Sequence, residues 1–318
     1  MKHAAVLGCL VLVAACSGPA ALTVSRVADD VQVVAGPEPF ATVRAGALPR
    51  PYVWPLLAPG GVAVTRNHPM GTRDGEQHDH PHHQSLWFAH GDVNGFDFWH
   101  GKQHRERIVH EATRTRAVDG GGVEVESDYT WQVDDGVVVL REQRVLRFAR
   151  GGDHRTVDAT ITLRAGAADV TFGDTKEGSF ALRLHPALRV DGAVAAGTLT
   201  NSEGDAGKSA WGKRARWLHD QGPVDGASVG VAIFDHPDNL RHPTWWHART
   251  YGLVAANPFG QHDFERKPKG TGDFLLARGR TLRLRYRVVV HRGAWTGDRV
   301  DEAWRQWAEG GPSGAGAR

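Results

Sequence analysis

Residues 280–291 read RTLRLRYRVVVH. Leu282, Leu284, Tyr286, Val288 and Val290 take every second position, and Arg283, Arg285 and Arg287 stand between the first of them. Successive side chains of a β-strand point to opposite faces, so this order sets an apolar stripe against a guanidinium stripe. Helical spacing, with apolar groups three and four apart, does not produce it. GGVEVESDYTWQV (121–133) repeats the alternation with Val123, Val125, Tyr129, Trp131 and Val133, and HRTVDATITLRAG (154–166) with Val157, Ala159, Ile161 and Leu163. Turns marked by DDG, GG, DG and PG separate such runs, as antiparallel hairpins require. Only DRVDEAWRQWAEG (298–310) has helical spacing, with Val300, Ala303, Trp304 and Trp307 on one face. Many strands, few helices and no strand–helix rhythm predict an all-β chain, a large antiparallel β-sandwich with a short C-terminal helix.

The chain has 318 residues, 41% of them hydrophobic, which suffices for a sizeable core. Its 38 basic and 36 acidic residues leave a formal charge of +2. That balance provides no basic field for a phosphate backbone and argues against nucleic acid as a partner. Lys2 and His3 precede AAVLGCLVLVAAC (4–16), an apolar run too short for a permanent membrane span. Its end, Val13-Ala14-Ala15-Cys16, resembles a bacterial lipobox, which is cut before the cysteine and lipidated on the thiol; an ordinary secretory signal is the alternative. The expected organisation is a signal peptide at 1–16, a tether at 17–28, one β-sandwich domain over 29–310 and a flexible tail at 311–318. The expected location is extracytoplasmic, with the membrane reached through the lipid on Cys16. Cys9 leaves with the signal, so no disulfide can form.

Chemistry concentrates in HDHPHHQSLWFAHGDVNGFDFWH (78–100), which holds six of the 18 histidines. Pro81 excludes a central strand at HDHPHH and favours a loop or edge. His80 and His82 could share a metal, and imidazole suits copper, iron or zinc. The alternatives are a proton-transferring or sugar-contacting cluster with His83, and a merely exposed loop. Downstream, His90, Asn94, Asp97 and Trp99 combine aromatic surface with directional polar groups, the usual equipment for a sugar ring. Phe88 and Phe98 read as core. Three later segments repeat this mixture, supplying Glu177 and Arg183, then Trp211, Lys213 and Arg214, then His247 and Asn257. His83, Glu177, Lys213 and His247 are the candidate catalytic groups, because titratable side chains inside aromatic-rich stretches are costly unless used or paired. His80, His82, His90, Asn94, Asp97, Trp99, Arg183, Trp211, Arg214 and Asn257 are the candidate substrate contacts.

These motifs, together with RPYVWPLLAPGGVAVTRNHP, EGSFALRL and YRVVVHRG, resemble the bacterial PmoA family over residues 48–295. The family's name, methane oxygenase PmoA, implies copper-dependent oxidation, with HDHPHH as the place for the metal. The resemblance also suggests a soluble protein of sugar-catabolic settings. GLVAANPFG followed by GDFLLARGRTLRLRYRVVV is similar, more distantly, to the last strands of galactose-mutarotase-like sandwiches. That likeness implies a supersandwich and a late glutamate as base, with histidines and no metal. Asn257 stands where that glutamate is expected, which leaves Glu177 with His83 or His247 for the role.

The expected function is therefore an exported carbohydrate-active enzyme of the epimerase, lyase or hydrolase type, acting on a small saccharide by His/Glu proton transfer without a cofactor. The alternatives are a non-catalytic carbohydrate-binding lipoprotein and a His-ligated metal oxygenase.

Overall fold

A computed structural model describes residues 21–101, 105–134 and 136–310. In chain order its strands are β1 (Leu22–Val27), β2 (Asp30–Ala35), β3 (Glu38–Arg44), β4 (Tyr52–Ala58), β5 (Val62–Ala63), β6 (Leu86–His90), β7 (Arg107–Val118), β8 (Gly122–Val133), β9 (Val137–Arg150) and β10 (His154–Ala165). There follow β11 (Val170–Phe172), β12 (Gly178–Arg183), β13 (Thr198–Asn201), β14 (Trp217–Val224), β15 (Ala227–Asp235), β16 (Trp245–Trp246), β17 (Leu253–Asn257), β18 (Phe274–Leu276) and β19 (Thr281–Arg292). They build a nine-stranded sheet, β1-β2-β3-β4-β6-β12-β17-β16 with β5 beside β4, and an eight-stranded sheet, β13-β14-β15-β19-β10-β9-β8-β7. β11 and β18 form a small third sheet.

The arginine-striped segment is β19, at the centre of the second sheet. Leu284, Tyr286 and Val288 stand opposite Ile161, Ala159 and Val157 of β10, and all six are buried. Their stripe faces the first sheet. Phe180 stacks on Tyr286 at 4.6 Å between ring centres, Phe40 meets Phe148 edge-on at 5.4 Å, and Phe88 meets Trp131 at 6.0 Å. One continuous apolar core results, with Phe88 and Phe98 inside it. β14 and β15 turn on Asp225-Gly226, where φ is positive at both residues, as a two-residue hairpin of this twist demands. Buried too is the ion pair of Arg144 Nε with Glu142 Oε1 at 2.6 Å, with the Trp131 indole donating to Glu142 Oε2 at 2.8 Å.

The helical segment forms Gly297–Glu309, capped by the Thr296 hydroxyl accepting from the Arg299 N–H. Val300, Ala303, Trp304 and Trp307 pack it on Trp217, Phe234 and Val289, on the outer face of the second sheet. One boundary differs from expectation. Residues 22–27, read as the end of a tether, are β1, because Leu22, Val24 and Arg26 pair with Ala35, Val33 and Val31 and Leu22 is buried. The signal segment, Cys16 and the tail 311–318 lie outside the described residues. Among the described residues no helix is long and apolar enough to cross a membrane.

Candidate active site on the outer face of the nine-stranded sheet

In β12 Phe180 faces the second sheet, so Ser179, Ala181 and Arg183 face away from it. The register carries that outer face to Ala89 and Trp87 of β6 and to Ala255 and Leu253 of β17. Ser179, Ala181, Ala89 and Ala255 make a low floor beside Trp87 and Leu253, and the segments 66–85 and 97–100 fold over its Arg183 end.

Asp79 organises this end. Its carboxylate accepts from Arg66 Nη1 at 2.5 Å, from Arg183 Nη2 at 2.9 and 3.0 Å, and pairs with His80 Nδ1 at 2.8 Å. Burial pushes this carboxyl up, but Arg183, His80 and Arg66 outweigh it and hold it well below the usual carboxylate range. Arg66 also donates to the carbonyls of His68, Gln77 and His80, fixing the loop path. The fully buried Arg50 does the same for the carbonyls of His82, Phe98 and Trp99. Its burial pulls its pKa down to about 10.

Arg183 Nη1 lies 2.9 Å from His83 Nδ1. A guanidinium can only donate, so Nδ1 accepts and the neutral ring carries its proton on Nε2. Burial above all, then His82 and Arg183, holds His83 neutral far below its ordinary range. His80 stacks on His83 at 4.8 Å and on Tyr251 at 5.3 Å, and the Arg183 guanidinium lies 4.6 Å above the Tyr251 ring. His82 meets His83 at 4.4 Å and His100 at 4.5 Å. Burial, His100 and Arg50 push His82 down to about 3. Asp97 holds His100 Nδ1 at 2.7 Å. Burial raises the Asp97 carboxyl, but hydrogen bonds from His100 and the Trp99 N–H more than offset it and leave it low.

The other end of the strip is built around His247, beside Ala255. Its Nδ1–H donates to the Lys176 carbonyl at 2.9 Å and its Nε2 accepts from Arg249 Nε at 3.0 Å. Burial and Arg249 push it down to about 3. Glu177 and Lys176 pair at 3.3 Å, half-buried, and Glu177 acts electrostatically on Tyr251. Arg249 lies 5.3 Å over the half-buried Trp211 ring.

His80, His82, His83, Asp97, Arg183 and Trp99 thus come together as expected, with Glu177, His247 and Trp211 along the same face. Several expectations need correction. His247 has both ring nitrogens committed, to the Lys176 carbonyl and to Arg249 Nε, which leaves neither free for the proton transfer expected of it. Trp99 offers no stacking face, being buried against Trp87 at 5.1 Å and His83 at 6.0 Å. Lys213 is exposed, and no contact among the described residues ties its amine to the cluster. Arg214 is exposed and spent on the Pro243 carbonyl and the Trp245 ring. His90 faces the opposite way, between the sheets, with Nε2 on the Gly173 carbonyl and its ring against Phe259. Asn94 and Asn257 use their amides on backbone. Asn94 binds the Thr171 N–H and the Asp169 carbonyl; Asn257 binds the Phe259 N–H and the Thr175 carbonyl. Arg50, Arg66, Asp79 and Tyr251 escaped the sequence reading. For Arg66 the signal is a lone charge at the end of an apolar run, VAVTR (62–66).

HDHPHH does not suit the metal that the resemblance implies. His80 Nδ1 is held by Asp79, and two buried guanidinium groups already compensate that carboxylate. Among the described residues no group of three or more His, Asp or Glu gathers for an ion.

A family model described as DUF6807, a family of unknown function, matches residues 30–305. That description carries neither an activity nor the methane oxygenase name. No curated protein matches the chain. Among solved structures, the galactosidase domain of α-galactosidase-sucrose kinase is 10% identical, with a TM-score of 0.38, over 86% of this chain and 42% of its own. The α-galactosidase from Lactobacillus brevis is 9% identical, TM-score 0.38, over 86% and 39%. A galactose mutarotase related enzyme from Lactobacillus acidophilus is 9% identical, TM-score 0.28, over 86% and 98%. The chain spans about two fifths of the two galactosidase chains. Likenesses at these scores carry no argument about function.

Proposed function

The chain belongs to the DUF6807 family, and we propose that it is a carbohydrate-active enzyme that binds a small saccharide along the strip from Arg183 to Glu177. The observation that carries this reading is a surplus of buried donors. Trp87 Nε1, Trp99 Nε1, Trp211 Nε1 and Arg183 Nε are buried with no hydrogen-bond partner among the described residues. Beside these four stands the His83 Nε2–H, a further donor on this face. Each unmet donor costs about 1–3 kcal/mol, so the site favours an oxygen-rich guest. The half-buried His82, His100, Tyr251, Glu177 and Lys176 form its rim.

In this reading Glu177 accepts a proton and His83 donates a hydrogen bond from Nε2 to an oxygen that gains charge, as a neutral imidazole can. His83 is then an electrophile and not an acid, which favours an epimerase or lyase over a hydrolase. The test is turnover of a panel of neutral and oxidised saccharides, followed by NMR, with wild type, His83→Ala and Glu177→Gln. Loss of about 10²-fold or more in each variant is expected; either variant turning over at the wild-type rate overturns these roles. Tight saccharide binding by calorimetry without product would favour the non-catalytic binder. Stoichiometric copper, iron or zinc in untagged protein would instead favour the oxygenase reading.

Delivery outside the cytoplasm on acylated Cys16 belongs to the same proposal. Labelled palmitate should be incorporated by wild type and not by Cys16→Ser; equal labelling refutes it.

A further inference from the structure

The outer face of the second sheet carries a charge ladder. In register across five strands stand Arg287, Asp158, Arg147, Glu124 and Arg116. In this row each carboxylate bonds to one guanidinium, and the third is left over. Arg287 takes Asp158 through two bonds, 2.5 and 2.7 Å, and Arg116 takes Glu124 at 2.6 Å. Arg147, between them, has no ion pair among the described residues, and its Nε is buried without a partner. An unpaired guanidinium there is costly unless an anion accepts from it.

Over this row opens a cavity of about 540 Å³, with Arg147 on its floor and the half-buried Trp307 on one wall. His236 lines it too. Its Nδ1 accepts from the Asp238 N–H, so Nε2 carries the proton, and that atom is buried with no partner in a side chain that is itself buried. Burial, then Arg285, pushes His236 down to about 4, which keeps it a neutral donor. Arg285 is engaged by Asp238. Three carboxylates line the cavity as well: Glu124 and Asp158 are tied to Arg116 and Arg287, and the exposed Asp119 at the rim works against an anion.

We infer that this cavity is a second binding site, separate from the histidine strip, for a small oxyanion (a carboxylate or phosphate group) held by the Arg147 guanidinium, with the His236 Nε2–H as a further donor lining the same cavity. A planar fork suits both groups, and Trp307, with the Arg287 guanidinium 5.5 Å from its ring centre, closes one side. The site needs nothing from the saccharide reading, since it lies on the opposite face of the sandwich.

Calorimetry at low salt with benzoate, inorganic phosphate and the neutral benzyl alcohol, none of them a saccharide, tests it on wild type, Arg147→Gln and His83→Ala. Wild type and His83→Ala should bind benzoate or phosphate alike, with benzyl alcohol silent, and Arg147→Gln should bind at least tenfold more weakly. Phosphate alone identifies a phosphate site, and benzoate alone a carboxylate site. Binding of neither anion, or equal binding by Arg147→Gln, overturns the inference. Because Arg147 makes no ion pair, Arg147→Gln should melt no lower than wild type; a melting point several degrees lower would reveal a structural partner and also overturn it.

Discussion

Replacing Asp79 by Asn removes one charge and almost no volume, and it strikes the residue on which the histidine loop hangs. The Arg66 and Arg183 side chains are 2% and 1% exposed and the Asp79 side chain 34%. Removing one partner of a fully buried ion pair costs about 3–5 kcal/mol, because a charge stays behind uncompensated. A third of the Asp79 surface is in water, so screening reduces this to about 2–3 kcal/mol. Asn keeps one acceptor oxygen but turns an NH₂ group toward guanidinium donors, so nothing is regained. For a domain of this size the change lowers the melting temperature by roughly 3–5 °C, readable by calorimetry or circular dichroism. The loss should also be less than additive with Arg183→Met, since both disrupt one network. An Asp79→Asn protein melting within a degree of wild type, or strict additivity in the double variant, would refute the hub.

Other outcomes follow from the same side chains. His82 and His219 are pushed down to about 3, and His236, His185 and His291 to about 4, chiefly by burial. A histidine depressed in the folded state stabilises fully above its unfolded pKa near 6.5, and that stability fades as pH falls toward the folded value. The melting temperature should therefore drop steadily between pH 6.5 and 4; a flat profile in that window contradicts the buried neutral pairs, including His219 with His291 at 2.9 Å. Lys213→Ala, at an exposed amine, should change stability by less than about 0.5 kcal/mol and leave saccharide turnover intact. A tenfold loss of turnover would restore Lys213 to the site.

The strands were legible because a sheet buried on one face writes its geometry at period two, as in Leu282 to Val290. The helix was legible through Val300, Ala303, Trp304 and Trp307. Side-chain assignment within the site was less so. A polar group satisfied by backbone looks in sequence like one awaiting a ligand, which is why Asn94 and Asn257 resembled contacts. His90 shares a segment with His83, yet strand parity sends it to the other face. Asp79 and Arg183 lie 104 positions apart, and no local spacing announces their pairing.

The most direct test is a crystal structure with a saccharide that the protein turns over or binds. An oxygen of that ligand is expected within hydrogen-bond distance of His83 Nε2, with Arg183, Tyr251 and Glu177 around the ring. Saccharide density elsewhere on the molecule, with the His83 strip holding only water, would contradict it.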